Sequence, residues 1–405
     1  MTESNDKKVP ALRFKGFTDD WEQRKLGELG SLKNGMNFSK EAMGVGFPFI
    51  NLQNIFGKTI IDIANLGKAK ASDLQLKEYS LHQGDVLFVR SSVKLEGVGQ
   101  ASLVPKTLKN TTYSGFIIRF RDKYGLDNNF KKFIFSITPI RKQIISHATN
   151  SANKNISQSV LENIKLIIPN KLEQKKIGSF FTQLDNLITL QQRKLEYFMT
   201  IKAELLRSIF PNTIGKRGLH ISDQPWKLQT MNDIFKEKNI KNEHGKLLSV
   251  SISKGIYPFS ENERKNNSSN NKSNYKEVKY NDIAYNSMRM WQGALGVSKY
   301  DGIVSPAYTV ITAKKQENPL FYYYYFKNKR MLFNFRQHSQ GLTSDTWNLK
   351  FPLFKKIIIQ TPISKKEEQI IANLFKTLDQ NIIYTKTKIE KFNYIKQFLL
   401  QNMFI

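Results

Sequence analysis

The sequence contains no cysteine, which excludes disulfide bonds and metal sites built on thiolates. It has no apolar run near the roughly 18 to 20 residues that a membrane-spanning helix needs. No charged-then-apolar leader follows Met1. These absences exclude a disulfide-stapled domain and a membrane-spanning chain, and we expect a protein of the reducing cytoplasm.

Acidic residues are also scarce. The 405 residues include 34 Asp and Glu against 63 Lys and Arg, which leaves a formal net charge of +29. Because 40% of the residues are hydrophobic, the chain can bury cores in two or three domains, and disorder does not account for the charge. A folded, strongly basic protein is attracted to nucleic acid, since neutralised phosphates release condensed counterions. An anionic membrane surface is the competing polyanion.

Catalytic motifs are missing as well. Gly57-Lys58-Thr59 resembles the end of a phosphate-binding loop, but Leu52 stands where that loop requires its first glycine. Asn318-Pro319-Leu320-Phe321 lacks the second proline of an adenine-methyltransferase tetrad. The histidines form no His-Glu-x-x-His pattern. We therefore expect no catalytic residue, metal or cofactor on this chain.

What the sequence does contain is a long repeat. Residues 173–210 match residues 367–404 without a gap, at a constant offset of 194 that pairs Asp185 with Asp379. Apolar residues recur at three- and four-residue steps in both copies, which predicts two long helices. Such stripes need a long apolar partner, so the copies are expected to form an antiparallel coiled coil of order 60 Å, at about 1.5 Å per residue.

The residues expected to pair the helices and set their spacing are Phe181, Leu184, Ile188, Leu195, Phe198, Leu205, Phe375, Leu378, Ile382, Ile389, Phe392 and Leu399. Gln191 and Thr385 interrupt the two stripes at equivalent positions. They either fix the register of the pair or are merely tolerated there.

Upstream of each helix, short runs rich in β-branched and aromatic residues predict strands in a mixed α/β domain. The sequence thus predicts an α+β fold with a pseudo-two-fold internal repeat. Its expected parts are a tail (1–20), a first globular domain (21–170), a central helix (171–213), a linker with a second globular domain (214–363) and a C-terminal helix (364–405). Trp21 and Trp226 occupy equivalent places, which favours a framework role over base stacking.

Two basic modules on a fixed spacer predict a split DNA target, because half-site spacing follows from protein geometry. The loops of the two modules differ, so the half-sites should differ too. Side chains that can read base edges cluster on predicted loops, although each one alone can be an ordinary solvated residue. The candidates are Lys33, Asn34, Asn37, Arg90, Ser91, Ser92, Lys94, Asn153, Lys154, Asn155, Arg289, Trp291, Gln292, Arg336, Gln337, Ser344, Asp345 and Asn348.

Four segments carry a family resemblance along nearly the whole chain. They are WEQRKLGEL from Trp21, GDVLFVRSS from Gly84, EQKKIGSFFTQLD from Glu173 and EEQIIANLFKTLD from Glu367. Together they resemble the specificity subunits of type I restriction-modification systems. The resemblance implies two target-recognition domains on double-stranded DNA, with two methyltransferase and two restriction subunits as partners. It places S-adenosylmethionine, ATP and Mg2+ on those partners, for adenine methylation and ATP-dependent cleavage.

Two other readings of the chain stay open at this point. One is a stand-alone nucleic-acid-binding scaffold, and the other is an enzyme with an unfamiliar site. Co-purification with a methyltransferase subunit would separate the first from a specificity subunit, and incubation of the pure chain with S-adenosylmethionine and DNA would expose the second.

Overall fold

The computed structural model describes residues 9–149, 152–210, 219, 225–261 and 271–405. The chain forms two compact units: unit 1 comprises residues 1–192 and 387–405, and unit 2 comprises residues 193–386. Each unit therefore contains one globular domain and a portion of both long helices. Apart from residues 219 and 225, the linker predicted before the second domain lies outside the described residues, as do the first eight residues of the predicted tail.

The globular domain of unit 1 mixes short strands and helices, with a central antiparallel sheet in the order β2-β9-β5-β7. Its strands are β1 (Glu22–Lys25), β2 (Gly30–Asn34), β3 (Met43–Ile50), β4 (Gly67–Ala69), β5 (Val86–Val89), β6 (Ser91–Ser92), β7 (Ala101–Leu103), β8 (Thr112–Tyr113), β9 (Ile117–Asp122), β10 (Lys154–Asn155) and β11 (Lys165–Ile168). Its helices are α1 (Leu26–Leu29), α2 (Asp73–Glu78), α3 (Asn128–Ile134), α4 (Thr138–Ser146), α5 (Gln158–Asn163) and the start of α6 (Lys171–Ile209).

Unit 2 has the same frame, with a sheet in the order β13-β20-β17-β18. Its strands are β12 (Trp226–Thr230), β13 (Phe235–Glu237), β14 (Leu248–Ser251), β15 (Gly255–Pro258), β16 (Lys276–Val278), β17 (Ile283–Asn286), β18 (Leu295–Val297), β19 (Gly302–Val304), β20 (Tyr308–Ala313) and β21 (Ile358–Pro362). Its helices are α7 (Met231–Ile234), α8 (Pro319–Phe326), α9 (Lys329–Gln337), α10 (Phe351–Phe354) and the start of α11 (Lys365–Asn402).

A buried aspartate precedes an inner strand of each sheet, which is β5 in unit 1 and β17 in unit 2. Asp85 accepts a hydrogen bond from the backbone N–H of His82 at 2.8 Å, and Asp282 accepts the equivalent bond from Lys279 at 2.8 Å. Each carboxylate also pairs with a cation of its own domain, Arg121 in unit 1 and Lys238 in unit 2. The turn that begins the central strand is thus the same in both copies, which extends the repeat into the globular domains.

The two long helices run antiparallel within each unit. In unit 1 the Nζ atom of Lys396 lies 2.6 Å from Oδ1 of Asp185, and in unit 2 Lys202 lies 2.5 Å from Asp379. The offset of 194 converts one pair into the other with the helices exchanged. All twelve predicted pairing residues are buried or half-buried. Thr385 is buried and its hydroxyl donates to the carbonyl of Asn381, while its counterpart Gln191 is half-buried.

Each globular core is completed by a phenylalanine that follows the C-terminal end of a long helix. Phe404 packs in unit 1 against Trp21, Phe130 and Phe181, with ring centroids 6.4, 5.5 and 5.8 Å away. In unit 2 the equivalent residue is Phe210, which packs against Trp226, Phe321 and Phe375 at 6.3, 5.7 and 5.9 Å. The framework role expected for the two tryptophans agrees with these contacts. Burial of such a phenylalanine contributes about 1.5–3 kcal/mol.

Candidate nucleic-acid interface

In unit 1 the candidate site begins where the chain leaves the central sheet. Strand β5 is buried along its whole length, and the backbone emerges from the core at Arg90. The following residues, Ser91 and Ser92, form strand β6, which pairs antiparallel with Lys154 and Asn155 of β10. The structure therefore brings together two predicted clusters that are far apart in the sequence. Segment 90–99, which carries the first of them, is called loop 1 below.

Asn37 joins this cluster through a shared neighbour, Gly115. The Nη1 of Arg90 donates to the Gly115 carbonyl at 3.2 Å, and a Cβ on Gly115 would lie 2.1 Å from the Oδ1 of Asn37. Lys33 is engaged elsewhere: its ammonium pairs with Glu78 and lies 4.7 Å from the ring centre of Tyr79. Asn34 is exposed at the end of β2.

A groove of about 480 Å³ lies beside these polar residues. Its wall includes Ser91, Ser92, Lys94 and Asn153 from the predicted clusters. It also includes three apolar residues that the sequence did not single out, Phe56, Val93 and Phe116, which are 36%, 78% and 57% exposed. No sequence pattern distinguishes Phe116, because it opens the same apolar run as the fully buried Ile117 and Ile118.

Unit 2 also joins its two predicted clusters. The guanidinium of Arg289 lies 3.8 Å from the carboxylate of Asp345, a long, exposed ion pair. The rings of Trp291 and Trp347 meet edge to face at 5.1 Å, and the guanidinium of Arg336 lies 4.7 Å from the Trp347 ring centre. Stacking on an indole ring orients this arginine while its N–H donors remain available.

The remaining candidates of unit 2 surround this arginine–tryptophan cluster. Gln337, Ser344 and Asp345 are exposed, whereas Gln292 and Asn348 are half-buried. Asn348 exchanges backbone hydrogen bonds with Gln340, which closes the segment that carries Ser344 and Asp345. Segment 287–293, which carries Arg289, Trp291 and Gln292, is called loop 2 below.

The same backbone hydrogen bond places both loops in their domains. The Ile156 N–H donates to the Arg90 carbonyl at 2.9 Å, and the Leu349 N–H donates to the Ser287 carbonyl at 2.9 Å. Arg90 and Ser287 each stand five residues after the aspartates of the equivalent turns, Asp85 and Asp282. Equivalent backbone positions therefore carry different side chains in the two domains.

This arrangement supplies groups that hydrogen-bond to base edges and phosphates. Asparagine and lysine are the commonest candidate residues in unit 1, whereas arginine and glutamine are the commonest in unit 2. Arginine binds guanine edges and phosphates, and asparagine matches adenine. Within the described ranges, no group of three metal-binding side chains is assembled, and no helix is long and apolar enough to cross a bilayer.

The sequence profile described as the type I restriction modification DNA specificity domain matches this chain twice, over residues 18–197 and 223–394. The EcoKI specificity subunit of Escherichia coli is 27% identical over 158 residues, which are 38% of this chain and 34% of that protein. The MjaIX specificity subunit of Methanocaldococcus jannaschii is 23% identical over 197 residues, 47% of this chain and 44% of that protein. The matches thus span less than half the length of these curated relatives.

Among solved structures, the S subunit of a type I restriction-modification system from M. genitalium superposes with a TM-score of 0.60 at 16% identity. The superposition covers 98% of this chain and 99% of that one. At this identity the likeness establishes the fold. Together with the doubled profile match, it confirms the predicted α+β fold with an internal repeat.

Proposed function

This chain belongs to the family of type I restriction-modification DNA specificity domains, and we propose that it is the DNA-recognition subunit of such a system. In this proposal each globular domain reads one half of a split, asymmetric site on double-stranded DNA. The paired helices set the unread spacer between the halves.

The observation that carries the proposal is the contrast between a shared frame and unshared contact residues. The turn at Asp85 in unit 1 is the same as the turn at Asp282 in unit 2. The backbone hydrogen bond that Ile156 donates to loop 1 likewise matches the one that Leu349 donates to loop 2. The side chains presented beyond that frame differ. Two readers of one ancestry with different contact chemistry favour two different half-sites.

Exposed apolar side chains on the long helices support a proposal about partners. In unit 1, Tyr394 is 70% and Leu190 59% exposed; in unit 2, Tyr197 is 65% and Ile383 64% exposed. Large apolar groups on otherwise charged helices are typical of protein-binding surfaces. We propose that they contact the two methyltransferase subunits, and that two restriction subunits complete the assembly.

The chemistry of the system is proposed to reside in those partners. Adenine methylation with S-adenosylmethionine, and cleavage with ATP and Mg2+, would then be performed by the methyltransferase and restriction subunits. This chain would contribute the choice of sequence and no catalytic group.

The proposal is tested in two steps. A tag on the full chain should recover a methyltransferase subunit from the host cell, and mapping of methylated adenines should show one split motif. Replacing residues 21–168 with another recognition domain should then change one half of the motif and leave the other half unchanged. If both halves changed, or if no methyltransferase subunit were recovered, the assignment would be wrong.

A further inference from the structure

Loop 1 is held against the helices of its domain by a half-buried arginine. The Nη2 of Arg141, in α4, donates to the carbonyls of Val98 at 2.7 Å and Glu96 at 3.0 Å. At Gly99 the backbone has a φ of +65°, and an added Cβ would lie 2.3 Å from Cγ2 of Ile144 in the same helix. The loop therefore lies directly on α4, with Arg141 bonded to two of its carbonyl oxygens.

Loop 2 is held in the same way by a lysine. The ammonium of Lys327, which follows α8, donates to the Gly293 carbonyl at 2.6 Å and to the Ile252 carbonyl at 2.9 Å. Gly293 has a φ of +83°, and a Cβ there would touch Leu332 of α9 at 3.4 Å. The Nζ atom of Lys327 thus donates to both loop 2 and the β14–β15 hairpin, and it connects them to the helices on either side of Lys327.

The two glycines occupy equivalent positions at the ends of their loops. The residue after each one accepts the same bond from the central strand: Val89 N–H donates to the Gln100 carbonyl, and Asn286 N–H donates to the Ala294 carbonyl. The cations that hold the loops are not equivalent, because Arg141 lies inside the second helix of its pair and Lys327 lies between the two helices of the other. A charged side chain therefore holds each loop, but it comes from a different position in the helical layer of each domain.

Both cations are charged near neutral pH, although burial opposes the charge in each. Burial and the nearby ammonium of Lys202 lower the pKa of Lys327 to about 8, although Asp379 opposes the shift. The Lys327 ammonium also lies 5.5 Å from the ring centre of Tyr323. Burial lowers the pKa of Arg141 as well, but a guanidinium stays protonated in proteins. A charged donor forms stronger hydrogen bonds to carbonyls than a neutral one does.

We propose that Arg141 and Lys327 are positioning residues for DNA recognition, each fixing the conformation of one loop and so determining which base edges that loop can reach. The inference rests on the proposed function. It assigns a role to two residues that need not touch DNA. Contact residues need a supporting layer to hold them in a productive geometry, and here a charged side chain of that layer donates to backbone carbonyls of each loop.

The test uses the full chain in the complex recovered from its host and a library of random duplex DNA, with selected sequences read out. Arg141→Met should reduce base discrimination about tenfold in the half-site read by unit 1 and leave the other half unchanged. Lys327→Met should do the converse. The conservative changes Arg141→Lys and Lys327→Arg should restore most of the discrimination, since each retains a charged donor.

A merely structural role would reduce binding to all sequences alike, without altering the preferred bases at one half-site. Equal losses at both halves, or unchanged preferences in either methionine variant, would overturn the proposal. Should Lys327→Met fail to fold, Lys327→Gln retains an N–H donor without the charge, and unchanged preferences in that variant would count against the proposal in the same way. If the unaltered chain selected no split motif, the proposed function itself would fail.

Discussion

The role of the phenylalanine that follows each long helix can be tested with Phe404→Ala. Phe404 is 5% exposed and touches three aromatic rings of unit 1. Truncation of a buried phenylalanine costs about 3–5 kcal/mol. The backbone N–H of Leu12 also donates to the Asn402 carbonyl at 2.8 Å, so the loss should release both the helix end and this N-terminal segment.

Hydrogen exchange followed by mass spectrometry measures this effect region by region. A loss of about 4 kcal/mol corresponds to roughly a thousandfold faster exchange where the rate follows the equilibrium between closed and open states. Peptides covering residues 9–29 and 387–405 should show that increase. Peptides from unit 2 should change little, because Phe210 performs the equivalent task there.

Phe398→Ala is the matched control, at a position in α11 six residues before Phe404. Phe398 is 48% exposed, so its truncation should cost no more than about 0.5 kcal/mol. If Phe404→Ala accelerated exchange no more than Phe398→Ala did, Phe404 would not complete this core. An equal loss of protection in unit 2 would refute the separate assignment of the two cores.

Three further predictions concern unit 2. Lys202→Asp should destabilise the unit by about 1 kcal/mol in urea unfolding, and adding Asp379→Lys should restore most of that loss; no recovery would show that this ion pair does not contribute. The pKa of Lys327 lies near 8, below its ordinary 10.5, so between those pH values the unfolded chain binds a proton that the folded chain lacks. The free energy of unfolding should therefore rise with pH in this window relative to Lys327→Met, and a flat difference would contradict the pKa. Trp347→Ala removes the ring beneath Arg336 and should weaken binding about tenfold at the half-site of unit 2, as measured by fluorescence anisotropy on duplex DNA; an equal loss for a duplex altered at that half-site would contradict the contact.

The long helices could be predicted closely because their signal is repeated and periodic. Their predicted ranges, 171–213 and 364–405, compare with Lys171–Ile209 and Lys365–Asn402 in the structure. Turn chemistry and apolar spacing are local properties, so the sequence displays them directly. The predicted contact residues likewise follow buried strands, which the sequence shows as apolar runs.

Long-range partners could not be predicted in this way. Nothing near Lys33 indicates that its ammonium pairs with Glu78, since that contact depends on how β2 and α2 pack. Arg141 and Lys327 were missed for a related reason: their partners are backbone carbonyls of distant loops, and carbonyls carry no sequence signature. Their role is visible only once the loops have been placed.

The division between frame and loops sets a condition on exchanging recognition domains. A replacement of residues 21–168 removes Trp21 and Phe130, two of the three aromatic partners of Phe404. The incoming domain must supply aromatic groups at both positions, because a cavity there would cost several kcal/mol. It must also bring its own loop anchor, since Arg141 leaves with the old domain. A domain that meets both conditions should transfer its half-site specificity, whereas one that lacks the aromatic pair should fail for reasons of stability before recognition can be measured.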